Sequence, residues 1–410
     1  MFGLRQFKDV SPRIKFLLLV LFMIACVLSL RAIPVLRMWG ADLHNIHIFE
    51  HCAAGRSPYL INARVCGDQW NRPFFYPPFQ FAFFVWTRPF TLHTSMVIWT
   101  AFLLVSSAVI FLVWTRRIAR DASPGPRYQA AIFWALLAVQ YPFVFALERG
   151  NTDTVNVLFW TLATLLFVRR RIWLAGMAAG IAAGFKLSPV VAVVVMTGAL
   201  FWTQRKTGRW TWFLFGAGAL AAFALTLLVF LGEAKTYLLD VLPKYSDTYT
   251  PRTIWGHSIP TFVGPLYPNV ARALIAGLLG VWMWAGGKAA ARGNASMAFA
   301  GALAVSTYVP RTSFDYNLIS TYPLLLLLFL RAQRTNRWGL LVFGVFAICG
   351  DRRLFDHPHG TLLSPEVHLA IELAFLVVTA VVVARSEEGD PTARSAPTGG
   401  RDTDVATSAR

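Results

Sequence analysis

The chain is short of charge. Of its 410 residues only 14% are Asp, Glu, Lys or Arg, where ordinary globular domains carry about 25%. With 56% hydrophobic residues and a mean hydropathy of +0.53, a water-soluble globule is excluded and an integral membrane protein is indicated. Acidic residues are the scarcer sign, 20 against 38 Lys and Arg, for a formal net charge of +18. That excess does not point to nucleic acid. The basic residues stand in short clusters between apolar runs, which is the positive-inside pattern. Cysteine is also scarce, four in all. Cys26 and Cys349 lie inside apolar runs as inert side chains. Cys52 and Cys66 share a polar stretch, and their spacing alone leaves a disulfide open. No internal repeat stands out, and no soluble domain of any size remains.

What is present is a series of apolar runs. Residues 1–15 carry Arg5, Lys8, Arg13 and Lys15 and are expected in the cytoplasm. Phe16 to Leu36 follows, about 20 residues, enough to cross the hydrocarbon layer. It has no small-residue cleavage site before Arg37 and reads as an uncleaved first helix. Phe74 to Phe90 is short and interrupted by Pro77, Pro78, Arg88 and Pro89, so it is expected to be re-entrant or juxtamembrane. Gln129 to Leu147 leads out and Thr154 to Val168 leads back to Arg169-Arg170-Arg171. Lys186 interrupts the next apolar run, and basic residues at both of its ends make a hairpin of two short helices the simplest path. Continuing in this way predicts an all-α, polytopic fold of about a dozen crossings, each roughly 15–20 residues long. Both termini would be cytoplasmic, with a membrane domain over 16–384 and a disordered tail over 385–410.

The longest early polar break, residues 37–78, gathers ionisable groups, aromatics and turn residues on the outer side. Asp42, His44, His47, Glu50 and His51 sit at spacings that a helix brings onto neighbouring faces. Gly55 and Ser57-Pro58 break that helix beside Tyr59, and Tyr76-Pro77-Pro78 forces an extended re-entry toward the membrane. The same sidedness puts Asp42, Gly150-Asn151-Thr152-Asp153, Lys186, His257 and Asp315 on one outer face. Ionisable groups at a membrane are costly and commonly functional, so their convergence predicts a single site. Each residue also has a plainer reading. A loop aspartate can be solvated or cap a helix, Glu50 fits a helix-face charge, and Gly150-Asn151 fits a tight turn. The three histidines fit an interfacial face better than a zinc cluster. Lys186 either snorkels to the headgroups or meets an anion.

Read in order, Asp42, Gly55-Arg56-Ser57-Pro58-Tyr59 and Phe75-Tyr76-Pro77-Pro78 resemble the opening of glycosyltransferase family 87. This family comprises membrane mannosyltransferases of the GT-C type that use polyprenyl-phosphate sugars. Glu148-Arg149-Gly150-Asn151 is similar to the family's Gly-Gln/Asn turn, and Lys186-Leu187-Ser188-Pro189 to its Lys-x-x-Pro. Trp255-Gly256-His257-Ser258-Ile259 and Ser313-Phe314-Asp315-Tyr316 are weaker matches to late outer loops. Asp315-Tyr316-Asn317 stands where a histidine is common, leaving His257 as a stand-in.

The resemblance implies a GT-C-like fold and Asp42 as the general base for an acceptor hydroxyl. Lys186 would contact the donor phosphate, and Tyr59 and Tyr76 would wall a sugar or lipid groove. Asn151, His257 and Asp315 complete the implied binding set. No DxD motif stands out in the outer loops, which fits a lipid-phosphate donor and neither metal nor other cofactor. The implied partners are a polyprenyl-phosphate sugar, a glycan or glycolipid acceptor and membrane lipid, with no nucleic acid. The expected activity is mannosyl transfer at the outer face of the cell membrane. A lipid-linked sugar or polysaccharide transporter is the alternative. It predicts paired repeats and polar groups near the bilayer midplane, whereas here they lie at one edge. A membrane scaffold, the third reading, would leave Asp42 dispensable.

Overall fold

The structure, a computed structural model, describes residues 10–29, 40–53, 57–61, 65–66, 74, 76–118, 127–204, 210–243, 258–310, 313, 315–350, 356–357, 360–361 and 365–385. These are almost entirely helical, as expected. Strand is confined to an antiparallel pair of two-residue segments, Asp356–His357 with Gly360–Thr361. Four described helices are long and apolar enough to cross a membrane, and a bent pair makes a fifth. Five further apolar helices have 10–17 residues. Among the described residues, then, four or five crossings are supported by length and composition.

The helices follow the apolar runs. The first run forms α1 (Pro12–Ser29), and the polar break opens with α2 (Ala41–Ala53). Pro78 starts the six-residue α3 (Pro78–Phe83), because its missing N–H costs nothing at a first helical position. With the 3₁₀ turn Phe84–Thr87 that piece is too short to span, in line with a re-entrant or juxtamembrane segment. Next comes α4 (Leu92–Val113).

The run from Gln129 to Leu147 is not one straight helix. It divides into α5 (Arg127–Ala138) and α6 (Tyr141–Arg149), bent by 55° at the break. Pro142 is the cause, since a continuous helix would press its ring against the carbonyl of Ala138 and lose a hydrogen bond. Gln140 fills the gap and donates to the Met23 carbonyl at 3.1 Å.

Two short helices, α8 (Ile172–Phe185) and α9 (Ser188–Gln204), flank Lys186 as predicted. They follow α7 (Asp153–Val168) and precede α10 (Thr211–Leu228). Along α8, Gly176, Gly180 and Gly184 recur every four residues and lie on one face. A methyl group at these positions would meet Phe215 O, Ala219 O and the Thr226 hydroxyl of α10. Small residues let two backbones touch where lipid supplies no hydrophobic drive between helices. The rest of the chain adds α11 (Leu231–Thr236), α12 (Ile259–Phe262), α13 (Pro268–Ala291) and α14 (Ala295–Val305). A 3₁₀ turn over Asp315–Thr321 leads into α15 (Tyr322–Thr335), then α16 (Gly339–Cys349) and α17 (Pro365–Arg385).

Every residue of α15 from Tyr322 to Leu330 is buried, the mark of a central helix apolar on all sides. Leu17, Leu21, Val105, Leu220 and Leu225 are exposed on peripheral helices. That much apolar surface would be a liability in water and is the expected face toward lipid. The basic ends of the helices gather at one end. Lys15 of α1 donates to Asn336 just beyond α15, and Gln333 of α15 donates to Gln129 of α5 at 2.6 Å. Arg292 after α13 reaches the Ala384 carbonyl of α17 at 2.9 Å. The polar site lies at the opposite ends of α6, α7 and α15, about 20–30 Å away at 1.5 Å per residue.

Candidate active site

Asp42 stands in the first turn of α2, where a helix N-terminus favours an acid. The helix is brought to the end of α6 by two left-handed glycines. Gly40 (φ 74°) precedes α2 and its N–H donates to the Glu148 carbonyl at 2.6 Å. Gly150 (φ 67°) ends α6. The Gly150 and Asn151 N–H groups return to Leu147 O and Ala146 O, a Schellman closure that needs a residue without Cβ strain at Gly150. A Cβ there would also sit 2.8 Å from Leu43 Cβ. The Glu148-Arg149-Gly150-Asn151 string is therefore a helix stop that lets two helix ends approach closely.

That approach puts Arg149 and Asn151 on either side of the Asp42 carboxylate. Arg149 donates to Asp42 Oδ1 from Nη2 at 2.6 Å and from Nε at 3.1 Å. Asn151 Nδ2 donates to Asp42 Oδ2 at 2.8 Å, while its Oδ1 accepts the Asp153 N–H at 2.9 Å. Side-chain exposure is 5% for Asp42 and 17% for Arg149, and the guanidinium lies 5.5 Å from the Phe145 ring centroid. Charge-assisted bonds of this length are about twice as strong as neutral ones.

Lys186 has a partner that its sequence neighbours do not reveal, since no acidic residue stands beside it in the chain. In the structure Lys186 Nζ pairs with Asp153 Oδ2 at 2.8 Å. Asp153 is 1% exposed, opens α7, and also accepts from Asn317 Nδ2 at 3.3 Å. Asp42, Arg149, Asn151, Asp153, Lys186 and Asn317 thus form one connected network from four separate stretches of the chain.

Other predicted residues fall nearby or outside the description. Tyr59 donates to the Tyr76 carbonyl at 2.6 Å, and its ring lies tilted against Phe74 and Tyr237. Its hydroxyl is pushed up by burial, then by Tyr237 and Glu233, so it stays a donor. Tyr76 is 7% exposed and belongs to a small aromatic core with Leu43, Phe74 and Phe185. That burial makes it packing under the site more than a groove wall. His257 lies outside the described residues, though Ile259, which opens α12 two residues later, donates to the Tyr308 carbonyl at 3.0 Å. The backbone of Asp315 starts the 3₁₀ turn but its side chain lies outside the described residues. Among the described side chains of that turn, Asn317 reaches Asp153.

Glu50 pairs with Arg88 at 2.8 Å, and burial, opposed by Arg88, raises its carboxyl above the usual range. The His47 and His51 rings lie 4.1 Å apart, tilted by 33°, and burial lowers His47. Among the described residues no group of three or more His, Cys, Asp or Glu is arranged to hold a metal ion. Cys52 and Cys66 form a disulfide, tying the end of α2 to the following loop. Such bonds persist in oxidising surroundings.

The sequence puts Asp153 in the converging set and offers Arg149 as a fallback phosphate site, but gives neither a primary role; both lie two residues from Asn151. Asn317 is the residue it misses. For Asn317 only its place beside Asp315 pointed the way.

A family model described as glycosyltransferase family 87 matches residues 74–314, more than half of the chain. The match takes in Arg149, Asn151, Asp153 and Lys186 and begins downstream of Asp42. Two curated relatives are each named polyprenol-phosphate-mannose-dependent alpha-(1-2)-phosphatidylinositol pentamannoside mannosyltransferase. The one from Mycobacterium tuberculosis is 26% identical over 208 residues, 50% of this chain and 46% of that protein. The one from Mycolicibacterium smegmatis is 26% identical over 209 residues, 50% of this chain and 47% of that protein. The chain spans about half the length of the curated relatives it matches. No solved structure matches it.

Proposed function

The chain belongs to glycosyltransferase family 87, and from that membership we propose that it moves mannose from a polyprenyl phosphate to a cell-envelope glycan or glycolipid. The observation that carries the reading is the buried Asp42 carboxylate, held by Arg149 and Asn151 beside the Asp153–Lys186 pair. A sugar hydroxyl is a poor nucleophile. Asp42 takes its proton as the oxygen attacks C1 of the donor mannose, with inversion. The bond from C1 to the phosphate oxygen breaks, and the leaving phosphate needs cations in a place of low dielectric. Arg149 and Lys186 are those cations. The relatives' printed names support both the donor and a glycolipid acceptor.

The protein acts as a multi-pass protein of the cell membrane, with a GT-C-like domain over 16–384, about a dozen crossings and both termini in the cytoplasm. The gathering of basic ends opposite the Asp42 network supports that sidedness. A cysteine introduced beside Asp42, in a background without Cys52 and Cys66, should react with an impermeant thiol reagent in intact cells. One near Arg120 should not. Reversed labelling would put Asp42 in the cytoplasm and overturn the outer-face assignment.

The activity itself is tested with the purified protein in lipid vesicles, radiolabelled polyprenyl-phosphate mannose and a cell-envelope lipid extract. Label should move to a glycolipid that gains one hexose in mass. Label that crosses the bilayer still attached to its polyprenyl carrier would favour the transporter.

A further inference from the structure

We infer that Arg149 is a further catalytic residue that changes partner during the reaction. It holds Asp42 in the resting site and pairs with the departing phosphate once Asp42 has taken the acceptor's proton. The inference rests on the mannosyl-transfer reading above.

Charge accounting leads to it. The resting network contains two carboxylates, Asp42 and Asp153, and two cations, Arg149 and Lys186, joined in two pairs. The four charges cancel. A polyprenyl-phosphate sugar is a phosphodiester with one negative charge, and the polyprenyl phosphate that leaves is a monoester with two. In the same step the acceptor O–H becomes the new C1–O bond, its proton goes to Asp42, and the electrons of the C1–O(phosphate) bond go to the phosphate. Asp42 falls from one negative charge to none while the phosphate gains one, so total charge is conserved. The negative charge has moved from the carboxylate to the leaving group, and a cation able to follow it stabilises the transition state selectively.

Of these two cations, Arg149 is the one paired with the carboxylate that this chemistry neutralises. Lys186 is paired with Asp153, which takes no proton in this reaction and stands at the N-terminus of the 16-residue α7, where the helix dipole favours the anion. Arg149 also has the right form for a change of partner. Its fork offers several donors in one plane, a match for phosphate as well as carboxylate. It retains more exposure than the Asp42 it holds, 17% against 5%. The Phe145 ring near its guanidinium carbon offers a surface on which a planar cation can rest while its hydrogen bonds change.

The test compares the parent with Arg149→Gln and Arg149→Lys in vesicles with polyprenyl-phosphate mannose, measuring kcat, donor KM and the pH profile of kcat/KM. Arg149→Gln should lower kcat by about 10²–10³, the usual loss for one donor to a developing oxyanion, with a smaller change in KM. Its acid limb should move to higher pH, because the Asp42 anion has lost an opposite charge. Arg149→Lys should recover part of the rate and return the limb toward the parent's position. Thermal melting of Asp42→Asn/Arg149→Gln, in which both charges are gone, separates folding from chemistry: if Arg149→Gln is merely unstable, the pair melts near the parent and Arg149→Lys is fully active. That outcome would make Arg149 a structural partner only. Retention of kcat by Arg149→Gln, or a loss of rate with the acid limb unmoved, would also overturn the inference while leaving mannosyl transfer intact. A parent that transfers no mannose from this donor would overturn both.

Discussion

Asp42→Asn is expected to transfer sugar roughly 10²–10⁴-fold more slowly than the parent, the usual range for loss of a general base, while remaining folded and inserted. Asparagine keeps the shape of the side chain and can still accept from Asn151, so the geometry of α2 against α6 persists. What it cannot do is take the acceptor's proton. The loss should therefore appear in turnover more than in donor KM. Arg149 loses its counter-ion in this variant, but its side chain is 17% exposed and can turn toward water. The stability cost should stay below the roughly 3–5 kcal/mol of breaking a fully buried pair. Transfer assays in vesicles, with a thermal melt as the folding control, check both halves. Near-normal transfer by Asp42→Asn would move the base to Asp153, the other buried carboxylate of the network.

The sequence carries depth better than direction. Basic clusters and apolar run lengths tell which end of each helix lies on which side, and from that alone Asp42, Asn151 and Lys186 fall on one face. The break at Lys186 was legible because an ammonium in the middle of an apolar run is expensive there. The α2 helix was legible from the spacing of its polar residues. Which side chains then meet depends on how helices are arranged around one another, and no local pattern encodes that. Lys186 and Asp153 are 33 residues apart, and Arg149 and Asp42 107. Their pairing follows from close approaches such as the Gly176, Gly180 and Gly184 face against α10, and from the bend at Gln140 that aims α6 at α2. Position 317 shows the same limit. The late turn is legible, but the contact of Asn317 with Asp153 depends on the turn packing against α7.

Lys186→Met should both destabilise the protein and slow transfer, and the two effects can be separated. Removing the ammonium leaves Asp153, 1% exposed, with the neutral Asn317 and Asn156 amides and its own helix N-terminus to meet its charge. Truncating one partner of a buried pair costs about 3–5 kcal/mol, which the 20% exposure of the Lys186 side chain reduces. The expected result is a clear fall in melting temperature together with lost activity. Lys186→Arg keeps the charge and should hold most of the stability and part of the rate, since the geometry changes. The informative variant is Asp153→Asn/Lys186→Met. Two neutral side chains of similar volume no longer leave an unpaired charge, and replacing a buried pair in this way is often neutral or stabilising. Stability should return. If Lys186 contacts the donor phosphate, transfer should not return with it, and donor KM should stay raised. Recovery of both stability and rate in the double variant would make Lys186 a structural partner of Asp153 and leave Arg149 as the cation for the phosphate.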